Sequence, residues 1–278
     1  MQNCLAVILA AGRGSRMYPL SEESPKCLLP VANQPLIWYS VQLLERSGFQ
    51  EAVVVVREKE SSSVLEVLNQ FGGVTLQFSL VCIPDSEDWG TADSLRHIRG
   101  KLKLQHSDVL VVSCDLITSV QVHLLMEFHS CHQSTLTCLF ANSSSLQEEG
   151  SHRKQTSAVE HDVVALTPEH QLVYFAAQAD LDDSLTFSRF LLKRHPHMRV
   201  SSRLTDTHLY LMRRWVLDYL AENRAACRSR PLIVFPVAQN TPGAEGVATI
   251  GIHGEGWIRQ TYRAVIGLSA VTNDSSMA

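Results

Sequence analysis

The sequence predicts an α/β fold, an open, mostly parallel sheet flanked by helices. Three observations carry that expectation. Over the first two-thirds of the chain, strand-length apolar runs alternate with segments of helical character. Those runs are nearly continuous in Val, Ile and Leu, as in strands covered on both faces, and lack the polar alternation of a half-exposed strand. Polar segments containing glycine or aspartate follow several of the runs, at the ends where open α/β sheets collect their ligands.

Residues 4–10 form the first predicted strand, and the chain then turns through Gly12 and Gly14. A helix opens at Pro35, whose fixed φ suits a first turn. It carries Ile37, Val41 and Leu44 on one side and stops at Ser47-Gly48. Residues 51–57 give the second strand, 64–71 a helix, and 75–83 the third strand. A helix over 92–98 takes Thr91 as its N-cap. Residues 108–114 give a fourth strand, 120–128 a helix and 134–141 a fifth strand, and the Ser-rich stretch 142–155 reads as a loop. Residues 158–167 and 171–178 suggest paired strands, and 208–212 with 213–223 a last strand and helix. Beyond about residue 225, Pro231, Pro236 and Pro242 interrupt short apolar pieces and no period persists, so 226–278 is poorly determined.

The chain has 278 residues, room for one large domain with an appendage or for two modest ones at ~100–200 residues each. Hydrophobic residues make up 45% and charged residues 19%, a globular balance. With 24 Lys and Arg against 28 Asp and Glu, the net charge of −4 provides no field for nucleic acid. Seven scattered cysteines without a Cys-x-x-Cys pair favour free thiols in a reducing compartment. His129, Cys131 and His132 lack the further partners that a structural zinc site needs. No basic leader precedes the first strand and no apolar run approaches the ~18 residues of a membrane span, so the reading is soluble and cytosolic.

The densest motif lies between residues 9 and 36. Gly12 and Gly14 allow backbone N–H groups to face an anion at close range, while Arg16 and Lys26 supply a fork-shaped and a point-like cation. This is chemistry for phosphate. It is not a Walker A loop, for no Gly-Lys-Ser/Thr follows, and a dinucleotide fingerprint would need glycine where Met17 stands. Two later loops are placed to converge on it. Gly90-Thr91-Ala92 is short-chained enough for a flat base to lie against its backbone, or serves only to cap a helix; Asp115 at a strand end suits Mg²⁺ bridged to phosphates, or caps the next helix.

The run Gly12-Arg13-Gly14-Ser15-Arg16-Met17-Tyr18-Pro19-Leu20, with Pro25-Lys26, Pro30-Val31 and Pro35-Leu36-Ile37, resembles the signature of the sugar-nucleotide pyrophosphorylase superfamily. Within that superfamily the distinctive strings are Val81-Cys82-Ile83-Pro84-Asp85, Gly90-Thr91-Ala92-Asp93-Ser94-Leu95-Arg96, Val112-Ser113-Cys114-Asp115-Leu116-Ile117-Thr118 and Asp206-x-His208-Leu209-Tyr210. They are similar to the nucleotidyltransferase-like domain of translation initiation factor 2B gamma subunits, over about residues 4–223. The resemblance implies a nucleotide-diphospho-sugar transferase (Rossmann-like) fold over 1–225. It also implies a C-terminal left-handed β-helix of hexapeptide repeats; residues 226–278 show no such repeat, so the expectation is a truncated or alternative C-terminus.

Carried over by motif, Gly12, Gly14, Ser15, Arg16 and Lys26 would hold nucleotide phosphates, Gly90, Thr91 and Ala92 would face the base, and Asp115 would ligate the metal of a retained Mg-nucleotide site. Two departures count against turnover. Cys114 stands where the enzymes carry glycine, and the Glu-Lys-Pro segment that supplies their sugar-phosphate lysine is absent. The expectation is therefore a non-catalytic subunit of a guanine nucleotide exchange factor, with no catalytic residue and no required cofactor, binding GTP or ATP weakly at most. Its partners would be the epsilon subunit and the other subunits of the factor, and its client translation initiation factor 2, with no nucleic acid or membrane contacted directly. The alternative is a working sugar-1-phosphate nucleotidyltransferase of the mannose-1-phosphate guanylyltransferase kind. Asp206, a candidate second metal ligand, reads more simply as a solvated turn carboxylate.

Overall fold

A computed structural model describes residues 3–71, 74–86, 89–101, 106–142, 162–176, 185–222 and 248–251. The chain opens with β1 (Cys4–Leu9), followed by a 3-10 turn over Ser15–Met17, α1 (Leu20–Glu23) and a second 3-10 turn over Lys26–Leu28. A small hairpin, β2 (Pro30–Val31) and β3 (Gln34–Pro35), leads into α2 (Leu36–Arg46). Then come β4 (Glu51–Arg57), α3 (Ser61–Gln70), β5 (Gln77–Ile83), α4 (Thr91–Ile98), β6 (Asp108–Ser113), α5 (Val122–Cys131) and β7 (Leu136–Asn142). The remaining elements are β8 (Asp162–Leu166), β9 (Leu172–Ala176), α6 (Arg189–Arg194), β10 (Arg199–Arg213), α7 (Trp215–Glu222) and β11 (Ala248–Gly251).

The main sheet runs in the order β11-β7-β10-β6-β1-β4-β5, with β8 and β9 joined through β10. Strands β6, β1, β4 and β5 are mutually parallel, whereas β10 is antiparallel to β6, β7 and β8. The apolar runs are continuous because successive residues enter two different cores. Leu5, Val7, Val53, Val55, Val109 and Val111 face α4 and α7, while Ala6, Ile8, Val54, Val56, Leu110 and Val112 face α2, α3 and α5. A one-residue slip of any such strand would exchange both sets of contacts, and this fixes the register.

The sequence reading needs several corrections. Pro35 is the N-cap residue of α2 and also closes the small hairpin, whose turn residues Ala32 and Asn33 both have positive φ. Thr91 is the first residue of α4; Gly90 holds the cap position and donates its N–H to Asp93 Oδ2 at 3.4 Å. Strand β10, the last strand that the sequence predicts, begins at Arg199, nine residues before the predicted start, because polar residues on its exposed side hide the apolar period. From the stretch after residue 225, Ala248–Gly251 pairs in parallel with β7, so the sheet takes a strand from beyond the predicted boundary. The Ser-rich predicted loop lies, apart from its first residue, outside the described residues. Six cysteines are free thiols, and Cys227 lies outside the described residues.

Candidate functional site

Strand β1 sits between β6 and β4, and the chain leaves it toward β4 and returns on the other side at β6. At such a reversal the loops beyond the two carboxyl ends diverge from the sheet and leave a crevice between them. Here those loops are residues 10–29 and 114–121. Both are held firmly. Ala10 donates to the Val55 carbonyl at 2.9 Å and Cys114 to the Leu9 carbonyl at 3.1 Å, so the ladder continues one residue past each strand.

The first loop turns at Gly14, whose φ of 65° is the left-handed conformation that glycine adopts at least cost. A Cβ there would meet the Lys26 Cβ at 3.1 Å and the Ser21 Cβ at 3.2 Å, so Gly14 also admits the close passage of the Lys26 segment. The Ser21 hydroxyl donates to the Gly14 carbonyl at 2.9 Å. At Gly12 a Cβ would meet nothing within 4 Å, and Gly12, Ser15 and Arg16 are exposed on the outer side of the turn. Cys27 is fully buried in the α2 and α5 side of the core, which anchors the loop and leaves Lys26 at its shoulder. The Tyr39 hydroxyl donates to the Val31 carbonyl at 2.7 Å and the Ser40 hydroxyl to the Ser113 carbonyl at 3.3 Å, so α2 ties together the segments that flank the two loops.

Lys26 and Asp115 meet across the crevice: the ammonium donates to Asp115 Oδ2, and the Ser113 hydroxyl donates to Oδ1. Burial pushes this carboxyl up, but the hydrogen bonds from Lys26 and Ser113 outweigh it and hold it below its ordinary value. Asp115 does not cap α5, for which Gln121 holds the N-cap position. Cys114 is buried in the same core cluster as Cys27 and burial pushes its thiol up, so the residue that replaces glycine turns away from the crevice as an inert apolar group.

A third wall was not legible from the motifs. Strand β10 pairs antiparallel with β6, Leu209 opposite Val112, so the preceding residues pass the carboxyl end of β6 where Asp115 stands. The register against β7 shifts between Asp206 and Tyr210, and His208 sits there at φ 56°. Asp206 Oδ1 accepts the His208 backbone N–H at 2.9 Å and Oδ2 accepts the Tyr210 hydroxyl. The His208 Nδ1 lies 3.1 Å from that hydroxyl and 3.4 Å from Asp206 Oδ2. Burial pushes His208 down, but hydrogen bonding to Asp206 and the charges of Asp206, Asp115 and Asp162 raise it above its ordinary value, although 55% of the side chain is exposed. The Tyr210 hydroxyl is raised well above its ordinary value by burial and by Asp206. Asp206 is thus a buried strand residue and not a solvated turn carboxylate, and its Asp-x-His-x-Tyr spacing was the available signal.

The Gly90-Thr91-Ala92 turn stands at the start of α4, with Ala92 buried beside Leu95 and Ile98. Ala11 and Trp89 pack against that same core cluster, which brings this loop to the β1 side of the crevice. On the β4 side, Arg57 pairs with Glu60, and the Lys59 N–H donates to Asp85 Oδ2 at 3.0 Å. His129, Cys131 and His132 do not converge: His129 is buried and hydrogen-bonded to Thr137, and Cys131 is exposed. Among the described residues no group of three or more His, Cys, Asp or Glu side chains is arranged to hold a metal ion, and no helix is long and apolar enough to cross a membrane.

A glycine-turned loop bearing an arginine and a lysine, set against a strand-end aspartate at a sheet reversal, is the architecture of nucleotidyl transferases. The chain belongs to the nucleotidyl transferase family, whose model matches residues 5–150. It is 28% identical to translation initiation factor eIF2B subunit gamma of Dictyostelium discoideum over 78% of this chain, and 29% identical to that of Caenorhabditis elegans over 81%. The chain spans about half the length of these curated relatives, 52% and 55%. A mannose-1-phosphate guanyltransferase of Pichia angusta is 30% identical over 47% of this chain and 35% of its own. In fold, a Bacillus anthracis candidate glucose-1-phosphate thymidylyltransferase superposes with a TM-score of 0.58 at 18% identity, covering 79% of this chain and 75% of the other.

Proposed function

We propose that this chain is the nucleotidyltransferase-like part of a translation initiation factor 2B gamma subunit and acts in the cytosol as an assembly module, without transferase turnover of its own. The observation that carries the reading is the reach of the similarity. Gamma subunits align over about four-fifths of the chain, whereas the guanylyltransferases align over less than half of it. The resemblance assigns the exchange of GDP for GTP on translation initiation factor 2 to the complex, with the epsilon subunit as catalytic partner. The site supports this division of labour. A sugar-1-phosphate acceptor is a dianion, and no Glu-Lys-Pro segment supplies the second lysine that would receive it.

The test is affinity purification of the tagged chain from cytosolic extract, with mass spectrometry of what co-purifies. Recovery of the epsilon subunit and of translation initiation factor 2 is the expected result, and Arg16→Ala with Lys26→Ala leaves it unchanged. Recovery of the chain alone counts against the reading.

A second reading, a sugar-1-phosphate nucleotidyltransferase, is favoured by the intact pattern from Gly12 to Leu20. It requires pyrophosphate release from a nucleoside triphosphate and a hexose 1-phosphate, which the assembly reading excludes.

A further inference from the structure

A divalent cation in this crevice would need the oxygens of Asp115, and both are engaged within the protein. Oδ2 accepts from the Lys26 ammonium and Oδ1 from the Ser113 hydroxyl. The neighbouring carboxylate is engaged as fully, since Asp206 Oδ1 accepts the His208 N–H and Oδ2 the Tyr210 hydroxyl. Asp162 Oδ2 in turn accepts the Asp206 N–H at 3.0 Å. Mg²⁺ demands a near-octahedral shell of oxygens at about 2.1 Å, and here each nearby carboxylate already points at a hydrogen donor. The residues present do not fit the metal that the family resemblance implies.

We propose that the crevice takes its phosphate ligand, a nucleoside triphosphate, without a divalent cation, and that Lys26 alone does the work which lysine and metal share in a transferase. This rests on the reading of the first loop as a retained nucleotide site. An ammonium carries three donors, of which Asp115 Oδ2 uses one, and the Lys26 side chain is 22% exposed. An arriving phosphate therefore shares Lys26 with Asp115 and meets that carboxylate as a like charge. In a metal-bridged site the aspartate attracts the nucleotide through the cation; here it competes with the nucleotide for the lysine. The sign of the Asp115 contribution to binding is reversed.

Equilibrium dialysis of the full chain with GTP, in magnesium chloride and in EDTA, reads this directly. The retained GTP is expected to agree within about twofold between the two buffers, and Asp115→Asn to bind about threefold more tightly, the scale of one half-exposed ion pair. Lys26→Gln loses binding in both buffers. Binding that needs magnesium, or that Asp115→Asn abolishes in a folded protein, overturns the proposal; should that variant fail to fold, the two-buffer comparison on the unaltered chain still decides. Absence of binding in both buffers overturns it too, and recovery of the epsilon subunit in the purification above then shows that only the ligand reading has failed.

Discussion

Lys26 and Asp115, separated by 89 positions in the sequence, form an ion pair that joins the glycine loop to the end of the central strand β6. Each is only partly exposed, at 22% and 34% of its side chain, and Lys26 is held in place by the buried Cys27 next to it. Lys26→Ala leaves Asp115 without its cation, so a loss of about 1 kcal/mol is expected after allowance for solvent screening. Lys26→Ala with Asp115→Asn recovers part of it, because no uncompensated charge remains. Urea denaturation of the four proteins in the cycle measures both effects.

Gly14 and Gly12 should respond differently to alanine. At Gly14 the positive φ and the crowding by Lys26 and Ser21 act together, and Gly14→Ala is expected to cost about 1–2 kcal/mol. At Gly12 nothing lies within 4 Å of a Cβ, so Gly12→Ala changes stability by under about 0.5 kcal/mol. Thermal melts of the two variants make the comparison.

His129 sets a pH dependence at the opposite end of β6. It is 2% exposed, donates or accepts at Thr137 Oγ1 through Nδ1 at 2.7 Å, and lies 3.9 Å from Asp108 through Nε2. Burial and the Arg213 charge push its imidazole down from 6.5 to about 4, against the pull of Asp108. A depressed histidine means that the unfolded chain binds the extra proton first. Its contribution is complete above about pH 6.5 and is lost as pH falls toward 4, by up to about 3 kcal/mol. Urea midpoints at pH 7.5 and pH 5 should therefore diverge, and less so in His129→Gln.

Tyr210→Phe isolates the third wall. The hydroxyl donates to a buried carboxylate, so its removal strands part of Asp206 and is expected to cost about 1–3 kcal/mol. The ring stays in its core position beside Met212, which limits the change to the polar contact. Denaturant titration checks the size, and an intact circular dichroism spectrum checks the fold.

Much of this arrangement was legible from local chemistry. Strand Glu51–Arg57 was predicted at the bounds it has, because a continuous valine run between a glycine stop and a charged loop has no competing period. The first loop was legible because glycine and proline each restrict the backbone in a way that spacing reveals. The wall formed by Asp206, His208 and Tyr210 was not. It depends on which strand lies beside β6 and on a register shift within a fifteen-residue strand, and neither is encoded within a window of local sequence. Threonine competes well for a cap position in isolation, which favours Thr91 there, yet in the fold Asp93 reaches back to Gly90 and the helix begins one residue earlier.

The central claim proposed here is that the chain serves assembly and that its crevice does not transfer a nucleotidyl group. The measurement that tests it most directly is pyrophosphate release by the purified chain given magnesium, GTP and mannose 1-phosphate. The account predicts release no faster than in the absence of protein, and the same result for Asp115→Asn. Steady release by the unaltered chain, lost on Asp115→Asn, would contradict it.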